Sequence, residues 1–265
     1  MTPPADETDL RADRDDAFRP PRFAEPADRP APKRERTTGG FRRGLRRLRL
    51  AATIAVVVVA ALPMAGLALW STVPPVSMPM VARWITGAPV TRFWRPIEEI
   101  DRDLVASVIA SEDNDFCNHA GVDWDELRQV VSTAGGPRRG ASTITMQLAK
   151  NLFLWSGRSY LRKALEIPLA LLVDAVWSKR RIMEAYLNVA EWGPNGEFGI
   201  EAGTRRALGK SADRLAASEA ALMTAMLPNP HLRDARRPTT NLRRVAGIVR
   251  TRAAGSPEFT ACLEK

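Results

Sequence analysis

Residues 103–124 read DLVASVIASEDNDFCNHAGVDW, and the fold follows from how this stretch is read. At 100° per residue, Leu104, Val105, Val108 and Ile109 form one apolar stripe about 140° wide, which marks a helix with one buried face. The spacing predicts that helix over residues 104–113. Glu112 falls in the middle of the stripe and Asp113 at its edge. A carboxylate turned toward a core costs a few kcal/mol when it has no partner. Near a helix C-terminus the dipole also opposes ionisation. Both effects push the pKa of Glu112 upward, as a general acid or base working near neutral pH requires. Alternatively the helix ends earlier and Glu112 points into solvent; this stretch alone leaves both readings open.

Outward from that helix, the length of 265 residues leaves room for one sizeable domain or two small ones. The net charge of +9 is unevenly placed, and residues 41–50 alone hold five arginines and no acid. More than half of the excess is therefore one short block, which argues against a nucleic-acid surface. Before it, residues 1–40 carry seven prolines, alternating charges and few large apolar groups, a composition that does not offset chain entropy. After it, the 21 residues from Leu50 to Trp70 contain no charge, and about 20 suffice for a helix to cross a bilayer. The arginine flank faces the cytoplasm by the positive-inside rule, so the chain beyond Trp70 faces the other side. A buried core helix is the alternative. A cleaved signal peptide fits poorly, because the apolar run is long and its lead is not a short charged start.

The organisation expected is a disordered, basic-ended cytoplasmic tail at 1–47, a transmembrane helix at 48–70, a Pro-rich membrane-proximal connector at 71–96 and a folded domain at 97–265. Five prolines in 71–96 argue for extended or turning chain there. From Ile97 onward the pattern is helix after helix, predicted at 125–131, 143–154, 159–176, 179–192 and 240–254, with one more capped by Ser218 and stopped by Pro228. Ser178 is the expected N-cap of 179–192. Leu242, Val245, Ile248 and Val249 are expected on one side of the last helix. No run of alternating strands and no repeat is visible, so the soluble part is mainly α.

Gly135-x-x-x-x-Gly140-Ala141-Ser142 is close to a phosphate-binding loop, but Ala141 stands where lysine is needed and no strand precedes it. The loop is a linker or a mobile flap. Two histidines and two cysteines, Cys117-Asn118-His119 among them, do not have zinc spacing. A second carboxylate, Glu166, borders an apolar stripe of Leu161, Leu165, Leu169, Leu172, Val173 and Val176. Arg162 and Arg158 share its face at i−4 and i−8, Lys150 comes from the preceding helix, and Pro168 bends the chain nearby. Such a cluster is a surface ion pair, or it is a place for a diphosphate leaving group, whose developing charge fixed cations stabilise.

Five ordered motifs complete the pattern. They are Glu112-Asp113-x-x-Phe116-x-x-His119-x-Gly121-x-Asp123; Gly140-Ala-Ser-Thr-Ile-Thr-Met-Gln147-Leu-Ala-Lys150-Asn151; Arg162-Lys163-x-x-Glu166; Lys179-x-x-Ile182-Met-Glu184-x-Tyr186-Leu-Asn188; and Phe198-Gly199-Ile-Glu201-Ala with Leu227-Pro228-Asn229-Pro230. Over residues 97–230 the chain resembles the peptidoglycan glycosyltransferases of glycosyltransferase family 51, in their monofunctional biosynthetic form. The resemblance implies a lysozyme-like helical glycosyltransferase domain that polymerises lipid II into linear glycan strands at the outer face of the bacterial inner membrane, with no transpeptidase domain. It implies that Glu112 is the general base and Glu166 the second essential carboxylate, on the donor side. It also implies that Asp113, Phe116, His119, Ser142, Thr143, Gln147, Lys150, Asn151, Arg158, Arg162 and Lys163 bind substrate or meet its phosphates. No cofactor is required, although a divalent cation such as Mg at the diphosphate is compatible. The partners implied are lipid II, the growing lipid-linked chain, the membrane and other cell-wall synthases. Met146 departs from the family, where glutamine is common, and so does Ala207-Leu208, where an aromatic pair is usual. Finally, an oxidising compartment and an even cysteine count allow a Cys117–Cys262 disulfide, or leave two free thiols.

Overall fold

The structure is a computed structural model that describes residues 38–132, 142–157, 159–255 and 257–264, without the side chains of 38–43, 52, 55, 56, 58–60, 131, 257 and 258. The expected disorder of residues 1–37, the glycine-rich loop at 133–141 and Arg158 lie outside this description. By contacts the chain forms two units, Met1–Ala52 and Thr53–Lys265. In the first, helix begins at Thr38, ahead of the expected boundary at 48, and Leu45, Leu48 and Leu50 are exposed. Arginine and leucine are good helix formers, so the apolar run recruits its basic flank. This helix, α1 (Thr38–Trp70), continues into the second unit. Among the described residues no helix is long and apolar enough to cross a membrane. The span expected at 48–70 includes six residues whose side chains are not described.

The second unit is mainly α. After α1 come α2 (Met78–Ile85), α3 (Arg102–Glu112), α4 (Trp124–Ser132), α5 (Ile144–Phe153), α6 (Tyr160–Val176), α7 (Lys179–Val189), α8 (Ile200–Leu208), α9 (Ala217–Met226) and α10 (Thr240–Ala254), then a 3-10 segment, Pro257–Leu263. Two short strands, β1 (Thr91–Arg92) and β2 (Glu197–Phe198), pair in parallel. The folded unit thus includes the 71–96 segment expected to be irregular. Pro79 lies in the first turn of α2, where its missing N–H is not needed, and Met80 is buried. A count of prolines misleads here because it ignores their position in the helix.

Two helices make the centre. In α5, Ile144, Met146, Leu148, Ala149 and Leu152 are buried, and in α7 every residue from Ile182 to Val189 except Glu184 is buried. Both helices turn their apolar residues into the main core. Met146, the departure from the family pattern, is therefore a packing residue. Asn188 is buried with its polar atoms satisfied: its amide donates to the carbonyls of Arg95 and Glu184, and its oxygen accepts the Arg95 N–H at 2.8 Å. Leu104, Val105, Val108 and Ile109 of α3 are all buried, as the stripe requires. α3 packs on α9 and α10, where alanines 220, 221 and 225 permit close approach.

Local signals held unevenly. Ser178 caps α7 by accepting the Arg181 N–H. Ser218, by contrast, lies within α9; the helix starts after Ala216, whose N–H bonds the Glu219 carboxylate. Ile248 is exposed on α10, and Ala246 takes the inward place beside Leu242 and Val249. On α6, Leu161 and Leu165 face solvent while Glu166, Ala170 and Val173 face in. Leu169 and Leu172 pack on the core as expected, so the periodicity holds there and fails for the first half of the helix.

Candidate active site

Asp101 begins α3 by accepting the Asp103 N–H, and the helix ends at Glu112, so its last residue projects where α3 gives way to the loop before α4. Glu112 is partly exposed at a cleft of about 710 Å³. Burial raises its pKa above the ordinary carboxylate value; hydrogen bonds from Gln147 and Ser111 and the charge of Arg233 oppose the rise, and Asp113 adds to it. Gln147 Nε2 donates to one Glu112 oxygen at 3.2 Å, and Ser111 Oγ donates to the other at 3.3 Å. Behind Gln147, Tyr186 donates its hydroxyl to the amide oxygen at 3.1 Å, which turns the amide nitrogen toward Glu112. Burial also raises the Tyr186 pKa well above its usual value, with Glu112 and Asp113 adding to the rise.

Asp113 next door works inward. Its carboxylate accepts from His119 Nε2 at 2.9 Å and from the Ile144 N–H at 2.8 Å. Thr143 is buried, caps α5 by accepting the Met146 N–H, and donates to the Gly121 carbonyl at 2.6 Å. Phe116 is fully buried, edge-on to His119, with the Lys179 ammonium 4.7 Å from its ring centre. Lys179 also donates to the His119 carbonyl at 2.6 Å. Asp113, Phe116 and Thr143 were expected to bind substrate. The structure gives them a supporting place: buried and bonded internally, they hold the loop after Glu112 against the start of α5.

A second cluster surrounds Glu166. This buried carboxylate takes one charge-assisted bond from Arg162 and one from Lys163, the latter at 3.0 Å. Lys163 also reaches Ser142 Oγ at 2.5 Å. Lys150 is partly buried on α5; burial lowers its pKa, Glu166 and Glu112 act to raise it, and Arg162 and Lys163 lower it further. Lys150 therefore lies within electrostatic reach of both glutamates. Asn151 is partly buried on the same helix and, among the described residues, joins none of these bonds. Among the described residues no group of three or more acids, histidines or cysteines is placed to hold a metal ion.

Several contributors have no role that the sequence alone assigns. Tyr186 and Lys179 stand within recognisable motifs, but nothing local shows that one meets Gln147 and the other Phe116. Ser111, Arg233, Arg252 and Phe259 carry no signal at all. Arg252 and Phe259 come from the end of the chain, yet both line the cleft beside Glu112. The cysteines do pair: Cys117 and Cys262 form a disulfide with their Cα atoms 5.4 Å apart.

The transglycosylase family model matches residues 80–253. A biosynthetic peptidoglycan transglycosylase of Nitrobacter winogradskyi is 55% identical over 190 residues, covering 71% of this chain and 84% of that protein. One from Nitrobacter hamburgensis is 53% identical over 213 residues, covering 79% of this chain and 93% of that protein. One from Brucella suis is also 53% identical over 213 residues, covering 79% and 95% respectively. With its charge-bearing motifs assembled on one helical unit, the chain belongs to the transglycosylase family.

Proposed function

We propose that this transglycosylase polymerises lipid II, with Glu112 as general base and the cluster around Glu166 holding the donor diphosphate. In this reading Glu112 takes the proton from the 4-hydroxyl of the incoming sugar. The oxygen forms its bond to the donor C1 from the face opposite the leaving group, the C1–phosphate oxygen bond breaks, and undecaprenyl diphosphate leaves with the electron pair. The anomeric centre inverts. The observation that supports this best is the pairing of unlike sites: Glu112 with its pKa raised by burial at one cleft, and Arg162 and Lys163 gathered at Glu166, with Lys150 within electrostatic reach of both glutamates. Proton abstraction needs the first and a departing diphosphate needs the second. The lysozyme-like kinship of the helical unit is part of the same proposal.

Charge neutralisation falls to those three cations. Arg162 and Lys163 each bond one oxygen of Glu166 and so already balance its charge.

The same reading places the chain in the bacterial inner membrane by residues 48–70, with its N-terminus cytoplasmic and its catalytic unit periplasmic. Supporting it are the arginine block on one flank only, and the exposed apolar side chains of Ile54, Val57, Leu62, Met64 and Leu69 on α1. Leu67 of the same helix is buried, and its carbonyl accepts from the Trp177 indole at 3.1 Å. Other cell-wall synthases are the protein partners this activity implies. Incubating the detergent-purified protein with lipid II tests the reading: long glycan strands are expected, and strand cleavage or an unchanged substrate overturns it. Protease added to spheroplasts should digest residues 71–265 and spare the tail; a protected catalytic unit overturns the topology.

A further inference from the structure

We propose that Phe259, held beside the catalytic base by the Cys117–Cys262 disulfide, is the surface on which a sugar ring of the glycan stacks. The cleft next to Glu112 has a distinctive lining. Asp115, Asp123, Asp125 and Glu126 contribute carboxylates that outnumber the one cation, Arg252, and Phe259 is the one large apolar side chain among the residues that line it. Such a wall repels an anion, so it does not suit the diphosphate, for which the lysines and arginine at Glu166 already provide. It suits a hydroxyl-rich, uncharged ligand. Carboxylates accept hydrogen bonds from sugar hydroxyls. The face of an aromatic ring is electron-rich and attracts the slightly positive C–H face of a pyranose. A few polar groups around an apolar platform is how small-molecule sites fix orientation.

Phe259 comes from outside the part of the chain that the family model covers, which ends at residue 253. Three contacts hold its segment. The disulfide joins Cys262 to Cys117, in the loop that follows Glu112. The Phe259 carbonyl lies against the Cys117 sulfur at 3.1 Å. The Leu263 carbonyl accepts from Arg180 at 3.0 Å. Phe259 is itself partly buried, packed on the core by one side and lining the cleft by another. A side chain that served packing alone would not need to face a cleft whose other lining residues are mostly polar or charged.

The inference rests on lipid II being the substrate, so the parent protein is assayed first, as the full chain in detergent with lipid II, by initial rates and product length. Absence of polymerisation by the parent refutes that reading and not this one. Given an active parent, Phe259→Ala should raise KM for lipid II by roughly tenfold, with kcat nearly unchanged and shorter strands. Phe259→Trp should keep the parental KM. Phe259→Leu separates stacking from packing, because leucine fills the core side but offers no ring. A raised KM in Phe259→Leu with a parental Tm supports the proposal, and it stands as the deciding measurement if Phe259→Ala does not fold. Reducing the disulfide under native conditions should raise the parent's KM and leave that of Phe259→Leu unchanged, since both changes remove one contact. A parental KM in Phe259→Leu overturns the proposal.

Discussion

Glu112 owes its basicity to position. It lies at the last turn of α3, where Gln147 and Ser111 supply only two hydrogen bonds against the cost of burial, and burial prevails. Glu112→Gln keeps the shape and removes the basicity, so turnover should fall by about 10²–10⁴ with lipid II binding largely retained. A folded variant that polymerises at the parental rate would remove Glu112 from the mechanism. The base form is lost as pH falls, so the acidic limb of the parental rate profile should show an apparent pKa above the ordinary 4.5. Glu201 shows the opposite balance. Burial raises its pKa, but bonds from the Ala212 N–H, Arg95, Arg205 and Ser211 outweigh this and bring it from 4.5 to about 2. A carboxyl depressed in the folded state contributes stability that is complete above its unfolded value and lost as pH falls through the folded one. The Tm deficit of Glu201→Gln should therefore be full at pH 7 and shrink between about pH 4.5 and 2. A constant deficit across that window would exclude the linkage.

Elements meet in this molecule through a few backbone approaches, and Gly121 makes the closest near the site. It has φ +79, and a Cβ there would stand 2.6 Å from the Ala170 carbonyl of α6 and 3.1 Å from Asp174. Its own carbonyl accepts from Thr143, the cap of α5. One residue thus sets how far α6 stands from the loop and where α5 begins. Gly121→Ala combines a disfavoured dihedral with a backbone clash, and should cost about 1–3 kcal/mol. Turnover should fall as well, because α5 carries Gln147 to Glu112. Denaturant midpoints and lipid II rates measured together check this. An unchanged midpoint would mean that α6 can retreat.

Across the whole molecule, the longest constraint is covalent. The Cys117–Cys262 bond spans 145 residues of sequence and ties the end of the chain to the loop beside Glu112. In the chain-entropy account, closing a loop of that size contributes about 5 kcal/mol, so reduction should lower the denaturation midpoint substantially. A midpoint indifferent to reductant would place the strain or residual structure elsewhere. The other molecule-wide feature is a set of exposed apolar side chains, Trp155, Tyr160 (98% exposed), Leu161 and Leu165, on and just before α6. They flank the cations of Arg162 and Lys163, which is the end of the site where a lipid diphosphate would arrive.

The amino-acid sequence by itself determined that the chain is mainly α and that Leu104, Val105, Val108 and Ile109 are core, and it singled out Glu112 as a candidate base. These follow from periodicity and from the cost of a carboxylate on an apolar stripe, both local quantities. It also contained the Glu166, Arg162 and Lys163 cluster, because i, i+3 and i, i+4 neighbours meet on any helix. Local rules misled where two signals competed: Pro79 looked like a break and lies in the first turn of a helix, and Leu161 and Leu165 of α6 looked like core and face out. Only the tertiary structure showed that Asp113, Phe116 and Thr143 are buried beneath the loop that follows Glu112. It alone brought Tyr186 to Gln147, and it alone paired one open cysteine with the other. It also carried Phe259, 147 residues beyond Glu112 in the chain, to the same cleft. Such contacts depend on how helices pack across long separations, and no periodicity within a window of sequence records them.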